Sequence, residues 1–237
     1  MNVCKLQMLQ SIQNQRVHIL NLGFKSDWII KSFKKSRPDK VYIVRREKEQ
    51  KEAEKTEKEI RKFASKNGID IQIIKNEEDI YFLINQLKSV FEKEKGNNVY
   101  LAISAGPRYN TSAFIISSMI FGRCSKEVFL YSLEDGNFIE LPRFEVKLPK
   151  SEIIEALKFL ATQEEGCTKK KLRDHMFNNN FLNTGKCKDK EHSQYVKLNR
   201  AVLDSAEKDW RLIQIDGKRK GSIITLTEEG KKWARIF

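Results

Sequence analysis

Two short stretches of the chain carry residue types suited to holding an anion. Gly23-Phe24-Lys25-Ser26-Asp27 and Ser104-Ala105-Gly106-Pro107-Arg108 each follow an apolar run and precede a helical pattern. A strand that turns into a helix aims free backbone N–H groups at the space beyond it, and those groups attract anions. Gly106 permits close backbone approach. Pro107 removes a donor that a helix start leaves unsatisfied, and the Arg108 guanidinium can grip a phosphate through two hydrogen bonds. The same residues also suit a plain strand-to-helix turn, and spacing alone does not choose between the two. Neither stretch reads GxGxxG or GxxxxGK[ST], so dinucleotide dehydrogenase and P-loop NTPase assignments lose most of their support.

A second group of residues is basic or amide-bearing and lies near the C-terminus. Lys169-Lys170-Lys171 opens one helical pattern. Gln194, Tyr195, Lys197, Asn199 and Arg200 fall in the first half of another, and Lys218-Arg219-Lys220 sits between Gly217 and Gly221. These side chains donate to phosphates and base edges. Catalytic and metal-binding patterns are absent from the sequence: His18, His175 and His192 are scattered, and no HExxH, GxSxG or paired-carboxylate motif occurs. No catalytic residue, metal site or resident cofactor is assigned. His18, inside an apolar run, is expected to be a hydrogen-bonded core residue. Cys4, Cys124, Cys167 and Cys187 are far apart and read as reduced thiols of a cytoplasmic protein.

The elements that position these groups follow from apolar periodicity. Residues 17–22, 40–44, 69–74, 99–103 and 128–131 are short runs rich in β-branched and aromatic residues, as buried parallel strands are. Helical patterns lie between them at about 26–35, 49–67, 79–94 and 108–123. The second is a Lys/Glu tract with charges three and four apart, followed by Gly68 as a C-cap. Strands alternating with helices imply a mostly parallel sheet with right-handed crossovers, an α/β Rossmann-like domain. Residues 137–148 alternate in period two around Pro142 and read as one or two short strands leading to a linker.

From Pro149 the pattern changes. Ser151 is expected to cap a helix whose Ile153, Ile154, Leu157, Leu160 and Ala161 share a face. Thr168 caps a second over 169–177, and a polar loop spans 178–192. A third helix runs over about 193–209, followed by strands at 211–215 and 222–226 and a last helix capped by Thr227. Three helices, a strand, a basic turn, a strand and a helix make an α+β winged helix-turn-helix domain. In that motif the third helix enters the major groove while the wing, here 218–220, tracks phosphates. The expected organisation is an N-terminal extension at 1–16, the Rossmann-like domain at 17–148 and the winged helix at 149–237.

Composition agrees with an anionic partner. The chain of 237 residues carries 45 Lys and Arg against 32 Asp and Glu, a formal net charge of +13. Of these, 19 basic and 13 acidic residues fall in 149–237, so the C-terminal part is the denser in positive charge. No apolar run approaches the roughly 20 residues that span a bilayer, and residues 1–16 lack a signal-like apolar core. A soluble, non-secreted protein is expected.

The residues after the first and fourth strands, with the Leu141-Pro142-Arg143 step into a winged helix, resemble the CRISPR-associated Rossmann fold (CARF) domain. The whole chain over about 17–237 resembles archaeal CARF–winged-helix transcription regulators. That resemblance implies a homodimer whose paired Rossmann-like domains bind a nucleotide effector, a cyclic oligoadenylate, while the winged helices bind double-stranded operator DNA. By position, Gly23, Phe24, Lys25 and Asp27 would hold the ligand with Ser104, Ala105, Gly106, Pro107 and Arg108. Many members have a second glycine before the basic residue, where this chain has Pro107. Two other readings stand beside it: a ring nuclease cleaving cyclic oligoadenylate, with Ser104 and Arg108 or Lys25 at the reacting 2′-hydroxyl, and a protein-interaction module.

Overall fold

Short β-branched runs become strands here because helices cover both of their faces. The computed structural model describes residues 14–22, 26–46, 51–76, 79–102, 108–131, 137–141, 146–183, 190–217 and 221–237. The chain divides into two units, Met1–Val146 and Lys147–Phe237.

In the first unit β1 (Arg16–Asn21), β2 (Lys40–Arg46), β3 (Asp70–Asn76), β4 (Asn98–Ala102), β5 (Glu127–Tyr131) and β6 (Phe138–Glu140) form a sheet in the order β3-β2-β1-β4-β5-β6. All neighbouring pairs are parallel except β5 with β6. The intervening helices are α1 (Ser26–Ser36), α2 (Lys51–Lys66), α3 (Ile80–Lys93) and α4 (Arg108–Phe121). This is a doubly wound Rossmann-like architecture. Leu20, Ile29, Phe33, Val41, Ile43 and Ile60 are buried in one core cluster. On the other helical pair, Leu83, Leu87 and Phe91 of α3 and Phe114 of α4 are fully buried. Asp79 caps α3 by accepting from the Tyr81 and Phe82 amides.

One sheet face carries a ladder of rings. His18, Tyr100 and Phe129 stand opposite one another on β1, β4 and β5 and stack at centroid separations of 4.8 Å. His18 is fully buried, with Nδ1 3.0 Å from the Tyr131 hydroxyl oxygen. It is thus a core histidine as expected, but only half hydrogen-bonded, since Nε2 has no partner. At the amino edge of the sheet Glu94 is buried and ties three elements together. Its Oε1 accepts from Tyr42 Oη at 2.6 Å and Lys40 Nζ at 2.9 Å, and its Oε2 from Asn97 Nδ2 at 2.9 Å.

The second unit contains α5 (Ser151–Ala161), β7 (Cys167–Thr168), α6 (Lys169–Asn178), α7 (Lys190–Leu198), β8 (Ile213–Asp216), β9 (Ile223–Leu226) and α8 (Glu228–Ile236). The strands form a small antiparallel sheet in the order β7-β9-β8. Ile153, Leu157 and Leu160 of α5 meet Leu172, Met176, Leu198, Val202, Leu212 and Ile224 in one core. Thr168 and Thr227 cap α6 and α8 through the amides of Lys171 and Gly230. Gly230 has a packing reason: a Cβ there would collide with the Leu212 carbonyl oxygen.

Four details depart from the sequence expectation. Ser151 does not cap α5; it is the first helical residue and its hydroxyl donates to Glu152 Oε2. The third helix begins at Lys190 rather than near 193, and beyond Leu198 it continues to Asp209 in wide turns. There the amides of Asp204 and Trp210 bond the carbonyls five residues back, on Asn199 and Ser205. β7 has too few residues to show a period. Leu182, within the stretch read as a polar loop, is buried in the core.

Candidate functional site

The sheet order sets side by side the two strands that precede the anion-suited stretches. β1 and β4 are adjacent and parallel, with Val17 opposite Val99 and Ile19 opposite Leu101. The chain leaves β1 for the β2 side and β4 for the β5 side, so the topological switch lies between them. In open α/β sheets ligands bind in the crevice outside the carboxyl ends of such strands. Of the residues expected to hold a ligand, Gly23, Phe24, Lys25, Ser104, Ala105, Gly106 and Pro107 lie outside the described residues. Asp27 is exposed in the first turn of α1, and Arg108 is exposed as the first residue of α4.

Three asparagines that sequence reasoning did not single out meet at this edge. Asn76 Nδ2, at the end of β3, donates to Asn110 Oδ1 at 2.9 Å, and Asn110 Nδ2, in the first turn of α4, donates to Asn21 Oδ1 at 2.8 Å. All three are at most 2% exposed. The chain pins the start of α4, and with it Arg108, over the ends of β1 and β3. Beside it the Tyr109 hydroxyl is buried without a partner. Two further polar ties frame the edge. Ser26 Oγ donates to Glu59 Oε2 at 2.6 Å, fixing α1 to α2. Arg45, near the end of β2, pairs with Glu57 at 2.7 Å, as does Arg61. Burial raises the Glu57 pKa, but hydrogen bonds from Arg61 and Arg45 bring it below the ordinary carboxylate range.

The crevice is therefore bordered by two helix starts, a cation at one of them, and a row of neutral amides. The helix starts and the exposed cation suit an anion, while the asparagines, buried and bonded to one another, hold the edge in shape. Among the described residues no cluster of three or more His, Cys, Asp and Glu side chains could hold a metal ion. Among them, too, no helix is long and apolar enough to cross a membrane.

In the winged helix the candidate nucleic-acid contacts separate into two sets. Lys170, Lys171, Lys197 and Arg200 are exposed, and Lys169, Gln194 and Asn199 are half-buried. Gln194, Lys197 and Arg200 recur every three residues along one side of the third helix. Lys171 Nζ donates to Gln163 Oε1 at 2.6 Å. Tyr195 corrects the sequence reading: it is 7% exposed and lies beneath Arg173, so it packs the domain and is not presented at its surface. Its helical phase matches Leu198 and Val202, which also face inward. Arg173, itself buried, donates to Asp174 and to Glu191 Oε1 at 3.1 Å. Burial lowers its pKa, yet these carboxylates raise it above the usual arginine value. Lys218, Arg219 and Lys220 of the wing lie outside the described residues, between the ends of β8 and β9.

Comparison with known proteins gives two family matches. The model described as "HFX_2341_N:-like, N-terminal" matches residues 16–134, half of the chain. The model described as "DUF6293 C-terminal winged helix domain" matches residues 152–237. No curated protein matches the sequence. Among solved structures, Enterococcus italicus Csm6 bound to cyclic hexa-2'-fluoro-hexa-dAMP is 11% identical, with a TM-score of 0.42, over 84% of this chain and 55% of that one. Can2 from Sulfobacillus thermosulfidooxidans in complex with cyclic tetra-adenylate is 9% identical, with a TM-score of 0.37, over 94% of this chain and 62% of that one. Protein VC1899 from Vibrio cholerae is 11% identical, with a TM-score of 0.38, over 93% of this chain and 64% of that one. The chain thus spans less than two thirds of each of these proteins.

Proposed function

We propose that this chain, which belongs to the HFX_2341-like family and ends in a DUF6293 winged helix, is a ligand-responsive transcriptional regulator that binds double-stranded DNA. The observation that carries the proposal is the third helix of the winged domain. Its inward side is Tyr195, Leu198 and Val202, and its other side offers Gln194, Lys197 and Arg200 where the motif reads the major groove. Lys170 and Lys171 at the start of α6 and Lys218, Arg219 and Lys220 in the wing supply phosphate contacts.

The Rossmann-like domain is the sensor. Its ligand is a nucleotide of the cyclic oligoadenylate class, held at the β1–β4 switch by Gly23, Phe24, Lys25, Asp27, Ser104, Ala105, Gly106, Pro107 and Arg108. Support comes from β1 and β4, the strands that precede the two stretches in sequence and lie side by side in the sheet. The protein works as a cytoplasmic homodimer, and the effector acts by binding one arrangement of the dimer better than another.

A mobility-shift titration of the purified chain on its own promoter DNA, with and without cyclic tetra-adenylate, tests the proposal. The expected result is promoter binding whose affinity moves by fivefold or more on adding the nucleotide, an interaction of about 1 kcal/mol. No DNA binding at low salt overturns the regulator reading, and binding indifferent to the nucleotide overturns the sensor half.

A further inference from the structure

The asparagine chain at the carboxyl edge of the sheet has a direction. Asn76 donates to Asn110, and Asn110 donates to Asn21. Both amide atoms of Asn110 are thereby used, and Asn21 has a further interaction at its own end. The open atom of the chain is Asn76 Oδ1, which is buried and without a hydrogen-bond partner on a residue that is fully buried. The two amide atoms of Asn76 share one carbon. Since Nδ2 is turned to the first turn of α4, the orphan acceptor lies beside that turn, two residues from Arg108. Buried polar atoms in folded proteins are nearly always paired, and this unpaired acceptor stands out among its like for sitting at the carboxyl edge of the sheet, where a donor on a ligand can satisfy it.

We infer that Asn76 is a specificity residue for the ligand's base: its Oδ1 accepts a hydrogen bond from an exocyclic amine, while the start of α4 and Arg108 take the phosphates. The inference rests on the nucleotide-sensor reading above and adds to it which part of the nucleotide is read and by what. An acceptor with no competing donor favours an amino group, as on adenine, and opposes a carbonyl at the same position, as on hypoxanthine, where two acceptors would face each other. Asn110 and Asn21 do not touch the ligand. They are positioning residues that keep the Asn76 amide from rotating to offer its NH2 group instead.

The test compares cyclic tetra-adenylate with cyclic tetra-inosinate, in which a carbonyl replaces each exocyclic amine and N1 carries a proton, by calorimetric titration of the full chain. Wild-type protein is expected to prefer the adenylate by roughly tenfold to a hundredfold, the scale set by leaving one buried acceptor unpaired. Asn76→Ala is expected to weaken adenylate binding, leave inosinate binding in place and bring the ratio to about one. The wild-type ratio needs no variant, so a fold defect in Asn76→Ala does not shield the idea. Equal binding of both nucleotides by the wild type, or an unchanged ratio in a folded Asn76→Ala, overturns the role of Asn76 and leaves the sensor reading standing; an ordered water then fills the acceptor. Binding of neither nucleotide overturns both.

Discussion

The guanidinium carbon of Arg173 lies 4.6 Å from the centroid of the Tyr195 ring. Arg173 on α6 and Tyr195 on α7 are each 7% exposed, so a cation stacked on a ring, with Asp174 and Glu191 as its carboxylate partners, joins the two helices of the helix-turn-helix. Arg173→Ala is expected to destabilise the winged helix by about 2 kcal/mol, through the lost cation–π contact and hydrogen bonds. Denaturant unfolding of the C-terminal transition measures it. Tyr195→Phe keeps the ring under the guanidinium and should leave DNA affinity and its salt dependence unchanged. A clear loss of DNA affinity in a stable Tyr195→Phe would show that the hydroxyl reaches DNA after all.

His18 gives the protein a pH dependence of definite sign. Its burial, and next to that the nearby Arg16 charge, lowers its pKa to about 3. In the unfolded chain it titrates near 6.5. Between those values the unfolded state binds the extra proton, so stability rises with pH and is lost as pH falls below about 6.5. The slope is at most about 1.4 kcal/mol per pH unit for one proton. The carboxylates Glu57 and Glu94, whose pKa values are lowered, add their own losses only below their ordinary range near 4.5. Unfolding free energies at pH 7, 6 and 5 should fall steadily in the wild type. In His18→Phe, which retains a ring on the Tyr100 stack, the decline should be clearly shallower. An equal decline in both proteins would place the responsible group elsewhere.

Glu94 is the buried acid on which β2 and the end of α3 depend. Its side chain is 3% exposed and that of Lys40 16%, and both Lys40 and Tyr42 donate to the same carboxylate oxygen. Glu94→Ala leaves the Tyr42 hydroxyl without its acceptor and Lys40 with only the longer 3.8 Å pair to Asp70, at a cost of about 2–3 kcal/mol. Glu94→Gln retains an acceptor and should cost less. Urea midpoints of the two variants rank them, and a Glu94→Ala midpoint equal to the wild type would mean that water replaces the carboxylate.

Much of this was legible in the sequence. The five parallel strands follow from β-branched runs, and the Thr168 and Thr227 caps from residue type. The order of the strands is a different matter, because no local pattern tells that β1 lies next to β4. Once it does, two strand ends about eighty residues apart share one edge. The asparagine chain was illegible for the same reason: its bonds join residues 34 and 89 positions apart, and Asn21 and Asn76 by themselves look like strand ends. Tyr195 was misread because its residue type suits a DNA contact while its helical phase belongs to the core. The wide turns after Leu198 have no glycine or proline to announce them.

The salt dependence of DNA binding tests the central claim most directly. Binding constants for the wild type and for Lys218→Ala/Arg219→Ala/Lys220→Ala are measured on the same duplex between 50 and 200 mM salt, on the order of the range where phosphate contacts dominate. If the wing neutralises phosphates, each lost contact reduces the slope of log K against log salt by about 0.9, so the triple variant should be shallower by up to about 2.7. A wild type that binds DNA with the same slope as the triple variant would contradict the wing contacts, and a wild type with no salt-dependent binding at all would contradict the DNA-binding regulator itself.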